Sequence, residues 1–209
     1  MLDRVAIKAR AKEFAFNNKW NIWKCVLLVS VISGIASGLG GFFSGKNEIL
    51  GSMISLIVGF AMIPLEVGVV DYFVKLVRGK EVNLTESLLK FYKSEYLWNV
   101  LKIEIIAGLI IFALSLLFII PGIIWALKYA MINFLIVDKS AKELENSNVR
   151  EESTKMMDGH KWEFVVFHLS FILWYMLSSI TLGIAMIWVM PYVTTATVMW
   201  YDELKKLSK

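Results

Sequence analysis

Only one cysteine, two histidines and three prolines occur among 209 residues, and 19% of the chain is charged. The lone Cys25 excludes an internal disulfide, and it reads as a small apolar residue at the start of a helix. His160 and Glu163 stand one turn apart. His168, however, lies about 80° around the helix from His160 at about 100° per residue. With no HExxH and no cysteine set, no metal centre is expected. G-x-S-x-G, a Walker loop and a dinucleotide glycine pattern are all missing, and no histidine follows residue 168 to serve a late serine. The segment "EESTK" (151–155) has the adjacent glutamates of intramembrane prenyl-protein proteases, but it is polar throughout and lacks their arginine. Neither catalysis nor a cofactor is therefore expected. The N-terminal basic cluster is too small to suggest nucleic acid. A cleavable leader is also not expected, because the first 19 residues are long and polar and the apolar run after them is long enough to stay as an anchor.

What is abundant is apolar sequence. Hydrophobic residues make up 57% of the chain, and the mean hydropathy is +0.63. A water-soluble domain of this size cannot be covered by so few polar groups. The apolar residues also form long blocks, which is a membrane pattern. One block runs from Ile105 to Val137 with Lys128 as its one formal charge. As a single helix it would be roughly 50 Å long, against about 30 Å of hydrocarbon, so the chain must turn inside it. Pro121-Gly122, in "LFIIPGIIWALKYAM", is the expected tip. The same reasoning yields spans over about 22–43, 49–70, 98–120, 123–137, 162–180 and 184–200. Short links ("SGKNE", "PG", "TLG") alternate with long charged ones. The expected fold is an all-α integral membrane protein, a single domain over 1–209, built as three helical hairpins.

Basic residues orient it. Residues 1–24, 71–104, 138–161 and 202–209 hold 20 of the 22 Lys and Arg. The positive-inside rule puts all four segments, and both termini, in the cytoplasm. Trp20, Trp23, Tyr96, Trp98, Trp162, Trp200 and Tyr201 collect at the same ends, as an interfacial belt would. Residues 1–21 read as a basic interfacial helix, with Leu2, Val5, Ala6, Ala9 and Phe16 on its membrane sector, drawn to anionic headgroups. Asn83 with Glu86, and Ser140 with Glu143, mark the starts of cytoplasmic helices over about 84–94 and 141–157.

Small residues four apart form strips: Ser30, Gly34 and Gly38, with a parallel set at Ser33, Ser37 and Gly41, on span one, and Gly51, Ser55 and Gly59 on span two. They should pack the first hairpin, and a homo-oligomer seam is the alternative. Pro64, Pro121 and Pro191 each lie on the second arm of a hairpin. Pro64 and Pro191 should bend their spans, freeing carbonyls that need partners within the bundle. Charges within spans are the best site candidates, because each costs about 2.5–3.5 kcal/mol at a helix centre on insertion scales. Lys128 should pair with Asp71 or Glu66, and with His168 these residues form a candidate polar pocket or structural ion pair.

In order along the chain, "NNKWN", "PLEVG", "LVRGK", "IIPGIIWALKYAM", "MDGHKWEFVVFHLSFILW" and "GIAMIWVMPY" closely resemble a family of six-span bacterial membrane proteins. That family is known only as a domain of unknown function, number nine-seven-five. The resemblance covers nearly the whole chain and implies a six-helix bundle in the bacterial cytoplasmic membrane. A looser resemblance is to the membrane part of some glycerophosphodiester phosphodiesterases, without their catalytic domain. Neither implies an activity or site residues. The functional expectation is a non-catalytic protein that binds membrane lipids, membrane-active peptides or membrane-protein partners, in envelope stress tolerance or self-protection. A small transporter or channel using the intramembrane charges is the alternative, and a membrane enzyme of unrecognised type the third class.

Overall fold

The structure, a computed structural model, describes residues 2–208, and among these every regular element is helical. The chain opens with α1 (Arg4–Asn17), α2 (Lys19–Ser44) and α3 (Glu48–Val77). The short α4 (Leu84–Leu89) runs into a 3₁₀ turn, Lys90–Tyr92, before α5 (Ser94–Leu117). Next come α6 (Ile119–Lys128), α7 (Ile132–Val137), α8 (Ala141–Asn146) and α9 (Val149–Met156). The chain ends with α10 (Lys161–Leu169), α11 (Ile172–Ile180) and α12 (Met186–Leu207).

Five segments are long and apolar enough to cross a membrane: α2, α3, α5, Ile119–Val137 and Lys161–Ile180. The 22-residue α12 is long enough, but threonines, aromatics and a charged tail dilute its hydropathy and it falls outside the five. α3 is the hub, with α2, α4, α5, α7 and α12 packed around it.

The hairpin tips are not all where the sequence suggested. The turn between α5 and α6 is at Phe118, which is extended (φ −153°, ψ 135°), and not at Pro121-Gly122. Pro121 sits instead in the first turn of α6. Its missing N–H costs nothing there, because first-turn amides have no acceptor in the helix. Gly122 is the contact point of the hairpin: a Cβ there would lie 2.9 Å from Ser115 Cα. In the first hairpin, Gly40 faces Ser55 and Gly51 faces Ser44. Ser30 is exposed, and no atom lies within 4 Å of a Cβ built at Gly34, Gly38, Gly41 or Gly59. Spacing by four identified strips but not the face that meets the partner, which depends on how the two helices cross.

Two expected spans are discontinuous. The fourth breaks between Lys128 and Ile132, and the fifth at Ser170–Phe171. Each break strands backbone groups, and a helix from elsewhere in the chain caps them. Ser153 Oγ, on α9, donates to the Lys128 carbonyl (2.7 Å) and accepts from the Met131 amide (3.3 Å). Lys8 Nζ, on α1, donates to the Ser170 carbonyl (3.0 Å). In α3, which runs unbroken through Pro64, Tyr92 donates its hydroxyl to the Ala61 carbonyl one turn before the proline (2.6 Å). Irregular backbone at membrane depth needs partners of this kind. Ser153 is fully buried. Ser153→Ala should therefore destabilise by about 1–3 kcal/mol, the cost of two stranded groups, read as a lower thermal midpoint in detergent.

The segment expected as one helix over 141–157 is split at Ser147-Asn148. There the Asn148 side chain leaves the helix to accept from the Glu151 amide and start α9 afresh. α1 also departs from its reading. Of the expected membrane sector, Val5 and Phe16 are exposed, at 80% and 72%, but Leu2 is buried. The opposite side does not face water, however: Ile7 and Ala11 are buried, and α1 packs on α12. The main core gathers at this charge-rich end, around Phe73, Phe91, Met131, Phe167, Trp200 and Tyr201. Trp200 and Tyr201 are fully buried and are not part of an interfacial belt, whereas Trp20, Trp98 and Trp162 are exposed. At the opposite ends the helices show Leu, Ile and Phe outward, as a lipid solvent permits.

Candidate functional site

The charges singled out from sequence do not converge. Asp71 is 1% exposed and pairs with Lys75 Nζ (2.6 Å) and Lys90 Nζ (3.1 Å). Lys128 reaches neither Asp71 nor Glu66; its ammonium stacks on the Trp125 ring, 3.7 Å from the centroid. The reason is topological: Lys128 ends α6, whose neighbours are α5, α9 and α10, whereas Asp71 faces α4 from α3. Glu66 is exposed on α3, within coulombic reach of Glu104 on α5. His168 is wrapped by phenylalanines, edge-on to Phe164 (4.4 Å) and Phe167 (5.4 Å), and its Nε2 has no partner. His160 Nδ1 and Glu163 Oε2 are 2.9 Å apart and occupy each other.

The ion pair that joins hairpins lies elsewhere, just past the ends of the second arms. Arg78 follows α3, Asp138 follows α7 and Asp202 lies on α12. Arg78 donates from Nη1 to Asp138 Oδ1 (2.5 Å) and from Nη2 to Asp202 Oδ1 (2.6 Å). Tyr201 donates to Asp138 Oδ2 (2.8 Å), and Lys205 pairs with the same oxygen. Burial alone would raise the Asp138 carboxyl, but hydrogen bonds from Arg78, Lys205 and Tyr201 outweigh it and hold the group at about 2. Burial and the Asp138 charge push the Tyr201 hydroxyl up, so it stays a donor. The network is a structural clamp with two cations and two anions.

A cleft of about 1020 Å³ lies between α1, α2, α11 and α12. Trp20, Trp23, Trp174, Trp188 and Tyr192 line it, over Ile22, Val189 and Pro191, and Lys12, Glu13 and Lys19 supply its charges. Trp23 and Trp188 meet edge-on at 5.2 Å, and Trp174 meets Tyr192 at 6.1 Å. Four of the chain's eight tryptophans thus share one cavity. Among the described residues, none of these four indole N–H groups donates within the protein. Pro191 is buried in α12 beside the cleft. α1 forms one wall, tethered by Lys8 to Ser170, by Arg10 to Glu203 (3.1 Å) and by Tyr192 to the Lys8 carbonyl (3.4 Å). The Arg10 side chain holds the Glu203 carboxyl below the usual carboxylate range. The sequence reading placed Trp20 and Trp23 in the interfacial belt and did not single out Trp174, Trp188 or Tyr192, because α2 is brought to α11 and α12 only by the fold. An apolar cavity with a few polar groups at one side is the general form of a small-molecule site.

Residues 110–208 match a family model described as a protein of unknown function (DUF975). The match covers the chain from within the second half of α5 onward, less than the whole-chain resemblance seen in the sequence. No curated protein matches, the glycerophosphodiester phosphodiesterases included, and no solved structure does. Over residues 110–208, then, the chain is similar to the DUF975 family of proteins of unknown function.

Proposed function

We propose that this is a non-catalytic, six-span protein of a bacterial cytoplasmic membrane, with both termini in the cytoplasm, that binds a membrane lipid in the cleft between α1, α2, α11 and α12. The observation that carries the reading is the cleft itself, tryptophan-lined and about 1020 Å³ in volume. It falls at the upper end of the range for small-molecule sites, about 300–1,000 Å³. Its apolar wall runs into the exposed side chains Phe16 and Trp20, so an acyl chain passes from bilayer to cleft without meeting water. Indole rings suit the headgroup level, apolar at one end and polar at the other. Lys12 and Lys19 stand where an anionic headgroup would be drawn, and residues 1–24 carry six basic residues against two acidic ones. A protein that holds lipid at this surface fits a role in envelope stress tolerance or in self-protection against membrane-active peptides.

Ala9 is exposed and lines the cleft, so Ala9→Trp fills the cleft without touching the core. Native mass spectrometry of detergent-purified protein should show a retained phospholipid that falls several-fold in this variant, with the unfolding midpoint unchanged. Equal retention would reject the site. A reporter fused after Lys209 should be active in the cytoplasm, and a strain lacking the gene should be more sensitive to membrane-active peptides or detergents.

Transport is the second reading. The observation that favours it is the pair of discontinuous segments, α6–α7 and α10–α11, since broken spans build many transporter sites. Solute flux in proteoliposomes, abolished by Lys128→Met, would displace lipid binding as the leading function.

A further inference from the structure

Beside α5, away from the cleft, lies a second and very different cavity. Its volume is about 110 Å³, and it sits where α5 meets the link between α8 and α9. At about 30 Å³ per water it has room for three or four water molecules, or one tetrahedral oxyanion. Asn99 and Lys102 of α5 face Ser147 and Arg150 across it. Lys102 and Arg150 form no ion pair with a carboxylate among the described residues. The acids next to Arg150 are engaged elsewhere, Glu151 with Lys155 (2.8 Å) and Glu152 with Lys139 (2.9 Å). Ser147 Oγ is shut off from solvent and bonded to nothing in the protein. A buried hydroxyl without a partner is unusual and costly. Here it sits beside two free cations and an amide. Glu145 is the one carboxylate in the lining and leaves the cavity with a net positive charge.

We propose that this cavity binds a phosphate oxyanion. The lining fits that chemistry: Arg150, Lys102, Ser147 and Asn99 carry a guanidinium fork, an ammonium, a hydroxyl and an amide around a volume that admits one phosphate group. Ile106 continues the wall along α5, a membrane-crossing segment. The phosphate of a lipid headgroup and free phosphate therefore reach the same donors. The site shares no residue with the aromatic cleft, and its test does not depend on lipid binding there.

The experiment uses full-length protein in zwitterionic detergent and two probes, radiolabelled inorganic phosphate and short-chain phosphatidic acid, followed by equilibrium dialysis. At least one probe should bind with a Kd below about 1 mM, and Lys102→Met and Arg150→Gln should each weaken it about tenfold or more. Binding of phosphatidic acid alone identifies a headgroup site, and equal binding of inorganic phosphate identifies a free-oxyanion site. Glu145→Gln, at an exposed position, should tighten binding by removing the repelling carboxylate. Absence of binding by both probes overturns the proposal, as does binding that Lys102→Met and Arg150→Gln leave intact. Should those two variants fail to fold, unchanged affinity in Glu145→Gln overturns it.

Discussion

Replacing Arg78 with methionine should lower the stability of the purified protein by about 3 kcal/mol, the lower end of the range for removing one partner of a buried ion pair, since Arg78 and Asp202 are only partly buried. Whole domains have only about 5–15 kcal/mol, so much of the chain should be lost before purification. The size of the effect follows from what stays behind. Asp138 and Asp202 are drawn together only by the guanidinium, and the Asp138 side chain is 10% exposed. Without Arg78, Lys205 and the Tyr201 hydroxyl are all that offset the Asp138 charge. Adding Asp202→Asn to the variant removes the repulsion and should recover part of the loss. Thermal unfolding in detergent measures all three proteins. Recovery in the double variant separates charge from lost packing, because packing around the methionine is the same in both.

The clamp also sets an acid limit. Asp138 titrates at about 2 in the folded chain, against about 3.9 for a free aspartate. A carboxyl with a depressed value stabilises the fold above its unfolded pKa, and that contribution is lost as pH falls through the folded one. The Asp138 contribution should thus be constant from pH 7 to about 4 and disappear between about 4 and 2. In Asp138→Asn, the difference from the native protein should vanish over the same window.

The second large effect is expected at Gly68. α4 crosses α3 there so closely that an added Cβ would lie 2.8 Å from both Leu88 Cα and the Leu88 carbonyl oxygen, and 2.9 Å from the Ser87 carbonyl oxygen. These are backbone atoms and cannot swing aside as a side-chain tip would. Gly68→Ala should destabilise by about 1–3 kcal/mol through overpacking. It should also push Lys90, one residue after α4, away from Asp71. Gly34→Ala is the contrast. Nothing lies within 4 Å of a Cβ at that position. The change should stay within about 0.5 kcal/mol, or gain slightly from helix propensity. Equal losses at the two positions would mean that the Gly34 strip is buried after all, against a second chain.

The local chemistry was legible in advance. Asn83 accepts from the Glu86 amide, and Ser140 and Glu143 form a reciprocal cap, because such caps involve residues three apart. Long apolar helices were legible for the same reason, since lipid selects on length and composition. Partners across helices were not. Asp71 found Lys75 and Lys90 instead of Lys128, and the small strip at Ser30, Gly34 and Gly38 turned away from α3. In lipid, apolar burial does not distinguish one greasy face from another, so periodicity cannot say which face meets a neighbour.

By itself, then, the sequence determined the solvent of this protein, the long apolar helices that solvent demands, and where α4 and α8 start. Those properties depend on residues within a few turns of one another. Tertiary structure alone decided where spans four and five break, which distant side chains cap the breaks, and that Arg78, Asp138 and Asp202 close the charged end. It also decided that four tryptophans from three helices meet in one cleft. The physical reason is shared: each of these joins groups far apart in the chain, and their meeting is set by how close-packed helices cross.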